Sequence, residues 1–178
     1  PVIGFSTSSR TVPKILVVDD KLENRALLIS LLLSLQFDVL EANDGRDALE
    51  KAREFHPDLI FMDLIMPVMD GFEANRHLRK LPQLAHTKII AVSASTLITP
   101  EQIRTEYGFD DYLAKPLHMQ DVFAKLAYHL NVTWIYEGET QDGEGESTIS
   151  FQEEESDEHA VFPPPASDIH ELYECILD

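Results

Sequence analysis

Leu59-Ile60-Phe61-Met62-Asp63-Leu64-Ile65-Met66-Pro67-Val68-Met69-Asp70-Gly71 is the stretch that decides the fold. An apolar run ends in one carboxylate, and a proline and an Asp-Gly turn follow. That arrangement holds an acid at the carboxyl end of a buried strand, where α/β sheets place their sites. Three other segments belong with it. Lys14-Ile15-Leu16-Val17-Val18 ends in Asp19-Asp20, Ile89-Ile90-Ala91-Val92 ends in Ser93-Ala94, and Asp110-Asp111-Tyr112-Leu113-Ala114 ends in Lys115-Pro116. Each is an apolar strand that terminates in a residue able to handle phosphate or a metal.

Between these segments the hydrophobic period switches to that of helices. Helical patterns are predicted over about 23–35, 45–55, 71–79 and 119–130, with a further one starting after Thr99-Pro100. Asp44 and Thr99 are the expected N-caps, and Pro100 suits the first helical position. Strands are predicted at 14–18, 37–41, 59–62, 88–92 and 111–114. Such alternation implies a parallel sheet covered on both faces. Right-handed crossovers then give an α/β, doubly wound, flavodoxin-like fold, its five strands in the order 2-1-3-4-5.

Composition narrows the function. Tyr136 to Asp178 hold 14 of the 32 acids and none of the 14 Lys and Arg, which leaves residues 1–135 with 18 acids against 14 bases, a net of −4. So acidic a tail repels nucleic acid and membrane headgroups, and a DNA-binding output domain, which needs a basic face, is not expected here. No apolar stretch approaches the roughly 20 residues that span a bilayer, and no signal peptide is discernible. The single Cys175 fits a reducing compartment. A cytoplasmic location is therefore expected. Because the chain starts at Pro1 without Met, it is expected to be a piece of something longer.

In the 2-1-3-4-5 order the strands ending at Asp19-Asp20 and Asp63 are neighbours. Three carboxylates in one crevice repel each other unless a cation lies among them, and all-oxygen ligands in a small pocket suit Mg²⁺. A carboxylate can also attack a phosphoryl group to form an aspartyl phosphate. Lys115 would then supply positive charge and Ser93 a hydroxyl donor, since such chemistry is mostly positioning and charge stabilisation.

Residues 1 to about 131 resemble the receiver domain of two-component response regulators. The resemblance rests on Asp19-Asp20, on Met62-Asp63-Leu64-Ile65-Met66-Pro67 with Asp70-Gly71, on Ser93-Ala94, and on Tyr112 with Lys115-Pro116. Thirty residues separate Asp63 from Ser93 and 22 separate Ser93 from Lys115, spacings that also fit. The motifs are individually weak and jointly specific. The resemblance implies that Asp63 accepts phosphate from a phosphohistidine on a histidine kinase or phosphotransfer domain. It implies Mg²⁺ held by Asp19, Asp20, Asp63 and the Ile65 carbonyl, Lys115 and Ser93 on the phosphoryl group, and Tyr112 as a rotamer switch. That switch would reshape the face of the fourth helix, fifth strand and fifth helix, through which two copies could pair. The Lys115-Pro116 bond would be cis. Ile65 and Ser95 would flank the path of the hydrolytic water, which Ile65 cannot orient.

The ends resemble the surroundings of receivers in hybrid sensor histidine kinases, through Val2-Ile3-Gly4-Phe5 and Trp134-Ile135-Tyr136-Glu137. The expected organisation is an N-terminal linker over 1–12, the receiver over 13–131, an acidic and Pro-rich linker over 132–165, and an amphipathic helix over 166–178. That helix carries Ile169, Leu172, Tyr173 and Ile176 on one face. The chain has no ATP-binding motif, so turnover of an outside substrate is not expected of it. Plainer alternatives exist: Ser93 as a small strand-end residue, Tyr112 as an ordinary strand aromatic, and the seven histidines as surface or satisfied residues. At the level of function the alternatives are a docking module that never cycles phosphate and a phosphatase of the haloacid-dehalogenase type. The latter needs two acids two residues apart after the first strand, whereas here they are adjacent and residue 21 is lysine.

Overall fold

The computed structural model describes residues 2–7, 11–94 and 98–136. In chain order its elements are β1 (Val2–Thr7), β2 (Lys14–Val18), α1 (Leu22–Ser34), β3 (Asp38–Ala42), α2 (Gly45–Phe55), β4 (Leu59–Asp63), α3 (Gly71–Leu78), β5 (Lys88–Ser93), α4 (Pro100–Thr105), β6 (Asp111–Ala114), α5 (Met119–Leu130) and β7 (Val132–Tyr136). A five-stranded parallel sheet runs β3-β2-β4-β5-β6, the expected doubly wound order counted from Lys14.

Alternate side chains of a strand point to opposite faces, which is why the central strands are apolar throughout. Ile15, Val17, Phe61, Ile90 and Val92 meet α1 and α5 on one face. Leu16, Val18, Ile60, Met62, Ile89 and Ala91 meet α2, α3 and α4 on the other. Burying side chains of this size contributes about 1.5–3 kcal/mol each. The helix starts are set by side chains: Asp44 accepts from the Arg46 and Asp47 amides, Asp70 from that of Glu73, and Thr99 forms a capping box with Gln102. No helix among the described residues is long and apolar enough to cross a membrane.

Two element boundaries differ informatively from expectation. The strand predicted from Phe37 begins at Asp38, because the Phe37 amide still bonds the Leu32 carbonyl at 3.1 Å as part of the end of α1, with Gln36 left-handed at φ 69°. The strands predicted to stop at Met62 and Val92 each run one residue further. Asp63 and Ser93 are therefore ladder residues, opposite Val92 and Ala114.

The larger departure lies at the ends. Residues 1–12 and 132–165 were expected to be linkers, yet Val2–Thr7 and Val132–Tyr136 pair as an antiparallel ribbon, Val2 opposite Tyr136 and Thr7 opposite Val132. Asn131, left-handed at φ 51°, turns the chain straight from α5 into β7. Val132 and Trp134 face inward and Thr133 and Ile135 outward, a strand period. Trp134 meets Phe123 edge-on at 4.8 Å and Phe37 at 6.5 Å, and Phe5 stacks on Phe37 at 4.3 Å. The ribbon thereby extends the core beneath α1 and α5. The acidic and Pro-rich stretch from 137 and the amphipathic helix expected over 166–178 lie outside the described residues.

Candidate functional site

Four strand ends meet at the carboxyl edge of the sheet. Asp19 follows β2, its amide on the Ala42 carbonyl at 3.3 Å, and Asp63 closes β4. Both are buried, whereas Asp20 is exposed. One carboxylate oxygen of each of the three lies within 4.8 Å of the others. Lys115, just past β6, joins them: its Nζ donates to Asp19 Oδ2 at 2.6 Å and to Asp63 Oδ2 at 2.8 Å. The Lys115–Pro116 peptide is cis, as expected.

Charge and burial oppose each other here. Burial pushes the Asp63 carboxyl above its usual range; the Lys115 ammonium pulls it back, and the Asp19 charge adds to the rise. Burial alone would lower the Lys115 ammonium, but its hydrogen bonds to Asp19 and Asp63 outweigh that and leave it raised. The site is thus a compact set of acids with one ammonium among them. The fit to a divalent cation is good: the donors are all oxygen, and one half-buried ammonium is shared between two buried carboxylates.

Ser93 ends β5, buried. Its carbonyl accepts from the Lys115 amide at 2.9 Å and from the Tyr112 hydroxyl at 3.2 Å. Tyr112 is therefore half-buried, with its phenol turned toward the strand end that carries Ser93. The Ile65 amide donates to Asp63 Oδ1 at 3.3 Å, and the Ile65 side chain is 69% exposed beside the site. Ser95 lies outside the described residues. A cavity of about 200 Å³ opens next to Asp19 and Lys115, walled by Asn24, Leu27, Leu28 and Pro116. A hollow of about 420 Å³ sits far from this chemistry, by the ribbon, and its lining, which includes Ile3, Val12 and Ile135, is uncharged.

Two contributions have no signal in the sequence. The motif marks Gly71 as a turn at the start of a helix, but not its close packing: a Cβ built there would lie 2.2 Å from the Asp63 carbonyl oxygen, so α3 begins directly against the backbone of Asp63. Asn24, in the first turn of α1, donates to both Asp19 oxygens at 3.0 Å. Helical periodicity carries no signal for such a contact.

Residues 15–127 match the family model described as response regulator receiver domain. Among curated relatives, the chain is 37% identical over 113 residues to the alkaline phosphatase synthesis transcriptional regulatory protein PhoP of Bacillus subtilis, a match over 64% of this chain and 46% of the relative. It is 34% identical over 127 residues to hybrid signal transduction histidine kinase F of Dictyostelium discoideum, covering 69% of this chain and 12% of that protein. The chain thus spans less than half the length of these relatives. Among solved structures it resembles the receiver domain of sensor histidine kinase PA1611 from Pseudomonas aeruginosa, described with a magnesium ion in its active site cleft (30% identity, TM-score 0.62, 68% of this chain and 99% of that one). It also resembles the Saccharomyces cerevisiae complex of the histidine phosphotransfer protein Ypd1 with the receiver domain of Ssk1 (28% identity, TM-score 0.60, 67% of this chain and 90% of that one).

Proposed function

The chain belongs to the response regulator receiver domain family of two-component signalling, and from that premise we propose that Asp63 accepts a phosphoryl group from a phosphohistidine and that its phosphorylation is the switch. The observation that carries this is the buried Asp63 carboxylate held by Lys115 at 2.8 Å beside Asp19. In the transfer an Asp63 oxygen attacks phosphorus and the phosphorus–nitrogen bond breaks. The histidine nitrogen leaves with the electron pair, and an aspartyl phosphate remains.

Asp19, Asp20, Asp63 and the Ile65 carbonyl are the groups that would hold Mg²⁺. When bound, Mg²⁺ supplies positive charge that offsets the charge on the transferring group. The remaining work falls to the chain's own groups. Lys115 counters the effect of burial on the Asp63 carboxyl, then exchanges its contacts with Asp63 and Asp19 for a phosphoryl oxygen. The Ser93 hydroxyl donates to another oxygen. Tyr112, whose phenol is tied to the Ser93 carbonyl, follows the movement of that strand end and alters the face of α4, β6 and α5, where two copies can pair.

A hybrid sensor histidine kinase is the parent protein we favour, on the strength of the hybrid-kinase relative and the N- and C-terminal resemblance, with a histidine kinase or phosphotransfer domain as donor. A docking module that never cycles phosphate is the competing proposal. The joint presence of Asp19, Asp20, Asp63, Ser93 and Lys115 weighs against it.

Intact-mass spectrometry of the purified chain with acetyl phosphate, with and without Mg²⁺ and beside Asp63→Asn, tests the proposal. A gain of about 80 Da that needs both Mg²⁺ and Asp63 is the expected result. No adduct with acetyl phosphate or with a phosphohistidine donor would refute phosphate cycling and leave the docking module.

A further inference from the structure

We propose that Asn24 is a positioning residue that holds the Asp19 carboxylate in its metal-binding orientation while Lys115 is away from it; this rests on the metal site proposed above. Four contacts reach that carboxylate. Oδ1 accepts from the Lys21 amide at 2.9 Å and from Asn24 Nδ2 at 3.0 Å, and Oδ2 accepts from Asn24 Nδ2 at 3.0 Å and from Lys115 Nζ at 2.6 Å. An ionised carboxylate offers about four lone-pair sites, so in this state Asp19 is fully engaged.

The contacts are not equivalent. Lys115 divides itself between Asp19 and Asp63, and in the proposed reaction it must turn to the phosphoryl group. Its departure removes the strongest hydrogen bond from Oδ2 and leaves the carboxylate free to rotate about its Cβ–Cγ bond, apart from Lys21 and Asn24. The Lys21 amide grips Oδ1 alone and cannot stop that rotation. The Asn24 amide straddles both oxygens and can. It also leaves acceptor capacity on Oδ2 for a cation.

The local fold explains why Asn24 is available. With Lys21 as the N-cap of α1, Asn24 is the third helical residue, the position from which a capping box reaches back to the cap. Lys21 makes no side-chain cap bond, and Asn24 reaches past it to Asp19. The next residue secures the main chain of the same loop: Arg25 Nη1 donates to the Asp19 carbonyl at 2.8 Å while its Nε pairs with Glu41 at 2.9 Å. The first turn of α1 thus fixes Asp19 twice, by carboxylate and by carbonyl. Groups that orient a metal ligand typically change metal affinity by about 10–100-fold when removed.

The experiment is a Mg²⁺ titration of the purified chain by calorimetry, paired with the Mg²⁺ dependence of acetyl-phosphate labelling, for wild type, Asn24→Ala and Asn24→Gln. Asn24→Ala should raise the Mg²⁺ dissociation constant and the half-saturating Mg²⁺ concentration about tenfold, with a smaller fall in the rate at saturating Mg²⁺. Asn24→Gln, which keeps the amide, should recover part of the affinity. Unchanged affinity in Asn24→Ala overturns the inference, as does a loss that appears equally at saturating Mg²⁺ and in thermal stability measured in EDTA, which marks a structural role. If Asn24→Ala fails to fold, Asn24→Ser serves, because its single hydroxyl cannot span both oxygens. Wild type that binds no Mg²⁺ overturns the metal site and this inference together, whereas wild-type binding with an unaffected variant overturns this inference alone.

Discussion

Replacing Gly71 with alanine should damage both stability and labelling, by an amount that follows from the packing of α3 on β4. The added Cβ would sit 2.2 Å from the Asp63 carbonyl oxygen and 3.0 Å from the Leu64 Cα. Carbon and oxygen ordinarily approach no closer than about 3.3 Å, so α3 and the end of β4 must separate by about 1 Å. Neither partner yields cheaply. The Gly71 amide bonds the Leu64 carbonyl at 3.2 Å, and the Leu64 amide bonds Val92 at 3.2 Å. Overpacking of a core costs about 1–3 kcal/mol, and with backbone on both sides a loss of about 3 kcal/mol is expected. Because the moving strand end is that of Asp63, a displacement of this size should slow labelling about 100-fold. Urea unfolding and the acetyl-phosphate labelling rate measure the two effects. Gly4→Ala is the control, since a Cβ there meets nothing within 4 Å, and it should stay within about 0.5 kcal/mol of wild type. A Gly71→Ala protein with wild-type stability and labelling would show that α3 does not hold Asp63 by this contact. An equal loss in Gly4→Ala would show that the geometry at Gly71 is not the cause.

Asp111, buried on β6, is bonded by His129 and Lys125 at 2.9 Å, and although burial alone would raise its carboxyl, those partners hold it well below the usual range. A depressed carboxyl stabilises the fold above its unfolded pKa of about 3.9 and loses that contribution as pH falls toward its folded value. Asp111→Asn should therefore cost about 2–3 kcal/mol at pH 7 and progressively less below pH ~4; denaturation midpoints across pH would contradict this if the deficit were constant. Ile65→Asn places a polar side chain where an exposed apolar one stands beside Asp63, and should speed loss of the phosphoryl group by roughly tenfold, about 1.4 kcal/mol of barrier. A decay rate equal to wild type in the mass assay counts against that role. Trp134→Ala empties the contact between Phe37 and Phe123 and should lower stability by about 3–5 kcal/mol. Calorimetry decides it: a midpoint within a degree or two of wild type would mean that the ribbon contributes little to the core.

Much of the site was legible because its pieces stand at the ends of apolar strands. A buried strand is obvious from its composition, and a lone charged residue at its end has few structural reasons to be there. Asp19, Asp63 and Lys115 were found in this way, and the structure brings them into contact. What stayed hidden depends on contacts between elements. Asn24 is an ordinary polar residue on a helix until α1 is docked beside β2. Gly71 reads as a turn until α3 is seen pressed on Asp63. The ribbon was missed for another reason. Val132 to Tyr136 alternates as a strand should, but a two-stranded sheet needs a partner, and that partner lies at the opposite end of the sequence, in Val2 to Thr7. Local pattern cannot announce a pairing of such separation.

That pairing also decides how the domain bears mechanical load. With Val2 opposite Tyr136, whatever precedes β1 and whatever follows β7 depart from one point. Tension between those two segments opens the ribbon from that end like a zip, breaking its bonds in succession. It does not shear the five-stranded sheet. The ribbon would therefore yield before force reached the Asp63 carboxylate, whose surroundings would stay intact until Thr7 and Val132, the last pair of the ribbon, had parted.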